Sequence, residues 1–523
     1  MTHRDPPVRV CPFPAKYRAS GMLLHVTSLP SPYGIGDMGP AAFAWINRLH
    51  EAGQSWWQSL PLGPTGYGNS PYQALSSFAG NGLLISPDLL HKAGLLRKEE
   101  CEGQSFSPDF VDYGAVIPFK HRLLDRIWEK FRAGGAKGVH SAYKKFCHLQ
   151  AHWLEDYALF RALKEQHSRV SYLQWPVELI RRDATAIARS RKVLSGKIDK
   201  IKFAQFLIFQ QAQDLKNYAH TKGIRLIGDL PFFVSPDSSD VWAHPELFLL
   251  DVHRRPRFVA GVPPDYFSAD GQLWGNPVYD WDALRHTGFR FWIDRVRALL
   301  VHVDVIRLDH FRAFAAAWHV PANAQTARTG QWVPGPGSEF FNAIEKELGF
   351  LPFIAEDLGM ITPDVFSLRD QFHIPGTRVL QFAFDGNPQN PHLPENCPTN
   401  TVVYTGTHDN NTTRGWFEAL PEAERTRVWH HLNRESGPGD EISGKLLRLA
   451  WSSLAALVIA PLQDLLNLGA EARMNVPGTT HSNWAWRIPR ENPDASAFRR
   501  LYELTAVSHR LRSLPAPDSA TRD

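Results

Sequence analysis

Eight short, almost uninterrupted apolar runs punctuate this 523-residue chain, and helical patterns lie between several of them. The runs are residues 21–28 (GMLLHVTS), 55–61 (SWWQSLP), 224–234 (IRLIGDLPFFV), 303–309 (VDVIRLD), 351–357 (LPFIAED), 377–384 (TRVLQFAF), 401–406 (TVVYTG) and 457–463 (LVIAPLQ). A run without polar alternation suits a strand covered on both faces, as in a parallel sheet. Parallel neighbours need crossover connections, and helices can supply them. Residues 40–52 place Phe43, Ile46 and Leu49 on one face, with Pro40 at the start and Gly53 just past the end. Residues 289–301 repeat apolar side chains at three-four spacing, and 203–220 form another helical stretch ahead of Gly223. Ser338 is placed to cap a helix carrying Phe341, Ile344 and Leu348, which Gly349 closes. This alternation predicts an α/β fold, a (β/α)8 TIM barrel.

Two gaps are too long for simple crossovers. Between the second and third runs, residues 80–200 read as a mainly helical insertion, and between the third and fourth, residues 235–285 read as another. The whole chain, 1–523, is then one barrel domain with inserted subdomains, and such insertions usually wall a binding site. Composition narrows the class. A formal charge of +4 is too dilute for nucleic-acid binding. The longest apolar run falls far short of the ~20 residues a membrane span needs. Four cysteines (Cys11, Cys101, Cys147 and Cys397) lack CxxC spacing, so neither a zinc ribbon nor a redox pair is expected. Residues 1–18 lack the apolar stretch of a secretory signal, and a cytoplasmic location is expected. Seventeen tryptophans suit a core but also suit stacking on sugar rings.

Barrel chemistry sits at the C-terminal ends of the strands. Four of the eight expected strands deliver carboxylates to the same rim: Asp229, Asp309, the pair Glu356-Asp357, and Asp409 beside His408. Residues i and i+2 of a strand share a face, so Arg307 and Asp309 point the same way and the guanidinium favours an ionised carboxylate. Glu356 and Asp357 point to opposite faces, so one of them faces the barrel axis. Converging carboxylates need something that uses or neutralises them: a metal site, or a glycosidase pair, whereas a phosphate site would want Gly-rich loops and Lys. There is no GxxxxGK[ST] and no HExxH, and the nearby aromatics favour sugar. Each residue alone also has a structural reading, as a cap, an ion pair, a turn or, for Trp274, core.

The ordered stretches DLPFFV, GVPPDYFSADGQLWGNPVYDW, VIRLDHFRAF, AEDLG and YTGTHDNNTTRGW resemble the 4-α-glucanotransferases, also called amylomaltases or disproportionating enzymes, glycoside hydrolase family 77 of the α-amylase clan. LLHVTSLPSPYGIGDMG, NSPYQALSSFAGN and PLQDLLNLGAEARMNVPGTTHSNWAWR are similar to that family too, and the resemblance spans residues 18–510. It implies Asp309 as nucleophile, Glu356 as general acid/base and Asp409 as the third, transition-state-stabilising carboxylate. It implies that Arg307 and His408 position the nucleophile and the reacting sugar, and that Asp229, Asp265, Gln272, Trp274, Ser70, Tyr72 and Asn475 bind substrate. The implied substrates are α-1,4-glucans, with no cofactor, no metal, no nucleic acid and no membrane, in a monomer or weak homo-oligomer. Ala313 and Asn411 stand where the family often has Gly and Asp. An α-amylase-type hydrolase and a non-catalytic glucan-binding protein are the alternative readings.

Overall fold

The structure is a computed structural model that describes residues 12–14, 16–135, 137–264, 268–489 and 494–511. Its strands are β1 (Ala19–Leu23), β2 (Trp56–Gln58), β3 (Arg225–Leu230), β4 (Phe258–Val262), β5 (Gln272–Pro277), β6 (Val305–Leu308), β7 (Ala316–Pro321), β8 (Gln331–Pro334), β9 (Phe353–Ala355), β10 (Gly376–Val379), β11 (Thr401–Tyr404) and β12 (Leu457–Pro461). Eight of them form one parallel sheet in the order β10-β11-β12-β1-β2-β3-β6-β9. Read around from β1, that order is chain order, as in a (β/α)8 barrel. The remaining gap, β9 to β10, is bridged by Ala355 N–H donating to the Pro375 carbonyl and by Thr377 Oγ1 donating to the Ala355 carbonyl, both at 2.8 Å.

Burial on both faces explains the uninterrupted apolar runs. Ala19, Leu23, Trp56, Ile227, Val305, Ile354, Val402 and Ile459 pack together inside the barrel. Their neighbours Met22, Trp57, Leu226, Ile306, Phe353, Val403 and Val458 pack outward into the helical layer. Each of the eight expected runs overlaps one barrel strand; six strands lie wholly inside their runs, while β1 begins two residues and β10 one residue ahead of theirs. The strands are shorter than the runs, because the chain tightens into one-turn helices at Val26–Ser28 and Leu380–Phe382 as it leaves the sheet.

The expected helices form at Pro40–Glu51, Ser195–Thr221, Arg290–Leu300 and Gly337–Leu348. Ser338 does not cap the last of these. The chain turns into that helix at Gly337 (φ 56°), so Pro336 takes the cap position and Ser338 lies in the first turn. Gly349 closes it in the left-handed region at φ 79°.

Between β2 and β3 the helices Tyr113–Arg132, His140–Leu149, Ala151–Gln166 and Ala184–Val193 gather on Ser195–Thr221. Aromatic contacts tie them together: Phe131 stacks on Phe203 at 4.2 Å, and Phe146 meets Phe209 at 5.3 Å. A second, antiparallel sheet runs β5-β4-β7-β8. Its first two strands come from the segment between β3 and β6, and its other two from the connection between β6 and β9, where no strand was expected. Trp318 and Trp332 pair across β7 and β8 with ring centres 5.2 Å apart. Among the described residues no helix is long and apolar enough to cross a membrane. Cys101, Cys147 and Cys397 are free thiols, and Cys11 lies outside the described residues.

Candidate active site

The C-terminal ends of β3 and β6 lie side by side, with Asp229 in register with Arg307. Arg307 Nη1 donates to Asp229 Oδ1 and Oδ2 at 2.9 and 2.8 Å and to Asp309 Oδ1 at 3.1 Å. The Asp229 side chain is completely buried, whereas Asp309 keeps 28% of its side chain exposed. Arg307 is buried, which by itself would weaken its hold on the proton. Asp229 and Asp309 overcome that and keep the guanidinium firmly charged. Burial pushes the Asp309 carboxyl upward, Arg307 opposes the push, and the Asp229 and Asp409 charges add to it.

Glu356 follows β9. Its amide donates to the Leu308 carbonyl and its own carbonyl accepts from Phe311 N–H, both at 3.1 Å, which locks this turn onto the end of β6. Its carboxylate accepts the His310 amide at Oε2, 2.7 Å. Burial raises Glu356 well above the usual carboxylate range; Arg307 offsets part of that and Asp309 reinforces it. Two carboxyls thus share one partly desolvated site, which favours one proton between them. Asp357 turns away, as strand geometry requires. It accepts from Arg369 Nη1 at 2.5 Å and from Thr377 N–H at 2.6 Å and is structural.

The loop after β11 carries His408 and Asp409. His408 is buried, and burial lowers its pKa, so it is neutral at pH 7. Its Nε2 is 3.4 Å from Asp409 Oδ2. Its ring stacks on Tyr72 with centroids 5.1 Å apart. The Tyr72 hydroxyl donates to Asp229 Oδ2 at 2.7 Å, closing a chain from His408 through Tyr72 and Asp229 to Arg307. Ser70 builds the turn beneath, its Oγ accepting the Tyr72 amide at 3.2 Å. Asn475 Nδ2 donates to Asp409 Oδ1 at 2.6 Å. On β5, Trp274 Nε1 donates to Gln272 Oε1 at 3.1 Å, and the Trp274 ring meets the His310 ring edge-on at 4.8 Å. Asp265 lies outside the described residues. The other expected site residues converge on this rim.

Several contributors were missed in the sequence. Arg473 Nη2 donates to the Asp409 carbonyl at 2.6 Å. Trp484, held at φ 62°, lies 5.7 Å from Tyr72 and 6.0 Å from His408. The His310 amide reaches Glu356 from a left-handed position at φ 52°. Arg473 and Trp484 follow β12 rather than ending a barrel strand, so reading strand ends passed over them. Beyond Trp274 a cleft of ≈ 630 Å³ runs toward the helical insertion, past Tyr67, Tyr157 and Arg161. Among the described residues no cluster of three His, Cys, Asp or Glu side chains is arranged to hold a metal ion. The rim can bind a polyhydroxylated chain against aromatic faces and present it with one ionised and one protonated carboxyl.

A family model described as 4-alpha-glucanotransferase matches residues 24–492. The chain is 49% identical over 474 residues to a protein of Synechocystis sp. named 4-alpha-glucanotransferase, covering 90% of this chain and 94% of that one. It is 46% identical over 504 residues to the Thermus thermophilus protein of the same name, covering 94% and 99%. The solved amylomaltase from Streptococcus agalactiae in complex with acarbose superposes with a TM-score of 0.91 at 38% identity, over 95% of this chain and all of that one.

Proposed function

This chain belongs to the 4-alpha-glucanotransferase family and is an enzyme that transfers α-1,4-glucan segments, and we propose that the rim residues described above carry out that transfer by a retaining double displacement. Asp309 is the nucleophile. Arg307, 3.1 Å away, favours its ionised form and fixes its direction. Glu356 is the general acid, with a proton that burial helps it to keep.

In the first step an Asp309 oxygen attacks the anomeric carbon of the donor glucan. The bond from that carbon to the leaving O4 breaks, and the Glu356 proton goes to that oxygen. The transition state has oxocarbenium character. Asp409, held by Asn475, binds hydroxyls of the reacting sugar and stabilises the positive charge. His408, neutral and stacked on Tyr72, offers an uncharged ring nitrogen to a hydroxyl. In the second step the 4-OH of an acceptor glucan attacks the same carbon, its proton passes to Glu356, and the carbon–Asp309 bond breaks. Two inversions leave the α-linkage unchanged, and no cofactor is consumed. Trp274 gives the acceptor sugar an apolar face and displaces water that would otherwise hydrolyse the intermediate.

The observation that carries this reading is the junction of Arg307 with Asp229 and Asp309 beside a carboxyl that burial keeps protonated. Chromatography of products from maltotriose alone, with reducing ends counted in parallel, tests it. A ladder of longer maltooligosaccharides plus glucose at constant reducing ends is expected. Shorter sugars with rising reducing ends would make the enzyme a hydrolase.

A further inference from the structure

Asp464 is a fully buried carboxylate without a countercharge. It sits in the short helix Leu462–Leu465 that follows β12, is 1% exposed, and forms no ion pair among the described residues. Three donors fill its oxygens, and they come from the two ends of one loop. Thr405 Oγ1 donates to Oδ2 at 2.5 Å, Thr413 Oγ1 to Oδ2 at 2.7 Å, and Thr413 N–H to Oδ1 at 2.7 Å. Thr405 and Thr413 have no exposed surface. Between them run residues 406–412, which carry His408 and Asp409.

An apolar side chain would fill such a site at less desolvation cost. What a carboxylate adds is geometry: one planar group meets donors from both ends of the loop and sets their separation. The middle of the loop is held differently. Asn410 Oδ1 accepts from Thr407 N–H and Oγ1, and Gln381 Nε2 donates to the Asn411 carbonyl.

We propose that Asp464 is a positioning residue for glucan transfer, a clamp on both ends of the 405–413 loop that sets where Asp409 and His408 meet the sugar. The inference rests on the roles given to those two residues above. It also concerns Asp309, which Arg307, Asp229, Asp409, Glu356 and Tyr72 surround. Asp409 is among the charges that push Asp309 upward. Releasing the loop lets Asp409 recede, and Asp309 then ionises at lower pH.

Maltotriose kinetics of Asp464→Asn, Thr405→Val and Thr405→Ser test this, with rates expressed per folded molecule well below each Tm. Asp464→Asn is expected to lower kcat about 30-fold with KM changed less than about threefold, in the range a small misplacement costs. Its acid limb of kcat moves to lower pH, which a purely structural role would not produce. Thr405→Val lowers kcat and Thr405→Ser, which keeps the hydroxyl, restores it. This pair decides the matter should Asp464→Asn fail to fold. Undiminished kcat with an unmoved acid limb in folded Asp464→Asn, or equal rates in the two Thr405 variants, overturns the clamp while the transferase reading stands. A wild-type enzyme that leaves maltotriose unchanged overturns that reading and the clamp with it.

Discussion

Arg307 and Asp229, 78 residues apart in the chain, meet through a single nitrogen: Nη1 lies 2.9 and 2.8 Å from the two carboxylate oxygens, and the same nitrogen reaches Asp309. Removing the guanidinium leaves a fully buried carboxylate unpaired. Arg307→Met is expected to lose about 3–5 kcal/mol of stability in urea unfolding. It is also expected to lose about 100-fold or more in kcat. Adding Asp229→Asn should return most of the stability and none of the activity. A single variant as stable as wild type would show that the pair contributes little.

Glu356 gives a pH prediction with a definite sign. Burial, opposed by Arg307 and reinforced by Asp309, raises its folded pKa. The folded protein then holds this proton more tightly than the unfolded chain does. The resulting stability is complete below the unfolded carboxyl pKa of about 4.3 and is lost as pH rises through the raised folded value. Glu356→Gln should therefore match the wild-type Tm near pH 4 and exceed it at pH 8. Its kcat should fall by about 10²–10⁴-fold, and the alkaline loss of wild-type activity, which reports loss of the acid, should vanish from the residual rate. A lower Tm at pH 8 would contradict the raised pKa.

In the proposed mechanism Trp274 governs what reaches the intermediate. Its ring stands 4.8 Å from His310, the residue after Asp309. Trp274→Ala should raise the acceptor KM about tenfold, the ~1.4 kcal/mol that one aromatic platform supplies, and increase the hydrolytic share several-fold. Counting reducing ends against total turnover measures this. An unchanged ratio would place the acceptor elsewhere.

Arg510 tests stability apart from chemistry. Buried at the opposite, N-terminal end of the barrel, it donates to the carbonyls of Ala19, Trp451, Ser453 and Ala455 at 2.7–3.0 Å. Arg510→Met removes a donor from each of these carbonyls; the Ser453 carbonyl keeps Arg18 Nη1 at 2.8 Å, and a buried carbonyl left without any donor costs about 1–3 kcal/mol if water does not replace it. Tm should fall clearly while kcat and KM at 25 °C stay within about twofold of wild type. A parallel loss of kcat in folded protein would mean that this end of the barrel is coupled to the rim.

The sequence by itself determined the barrel and most of the side chains that gather at its rim. Burial on both faces of a parallel strand leaves a local mark, an apolar run, and each such run overlaps a barrel strand. Period-two geometry along those strands paired Arg307 with Asp309 and turned Asp357 away from Glu356. Tertiary structure alone decided who meets whom across long stretches of chain. The β5-β4-β7-β8 sheet joins strands from two separate connections, and its half-exposed outer strands carry no comparable apolar signal. Asp229 takes two of the three Arg307 contacts, a competition that the local spacing of Arg307 and Asp309 does not reveal. Arg473, Trp484 and Asp464 reach the site from beyond β12 through packing and hydrogen bonds. Periodicity records that a residue is buried; which distant partner shares that burial is settled when the chain closes the barrel.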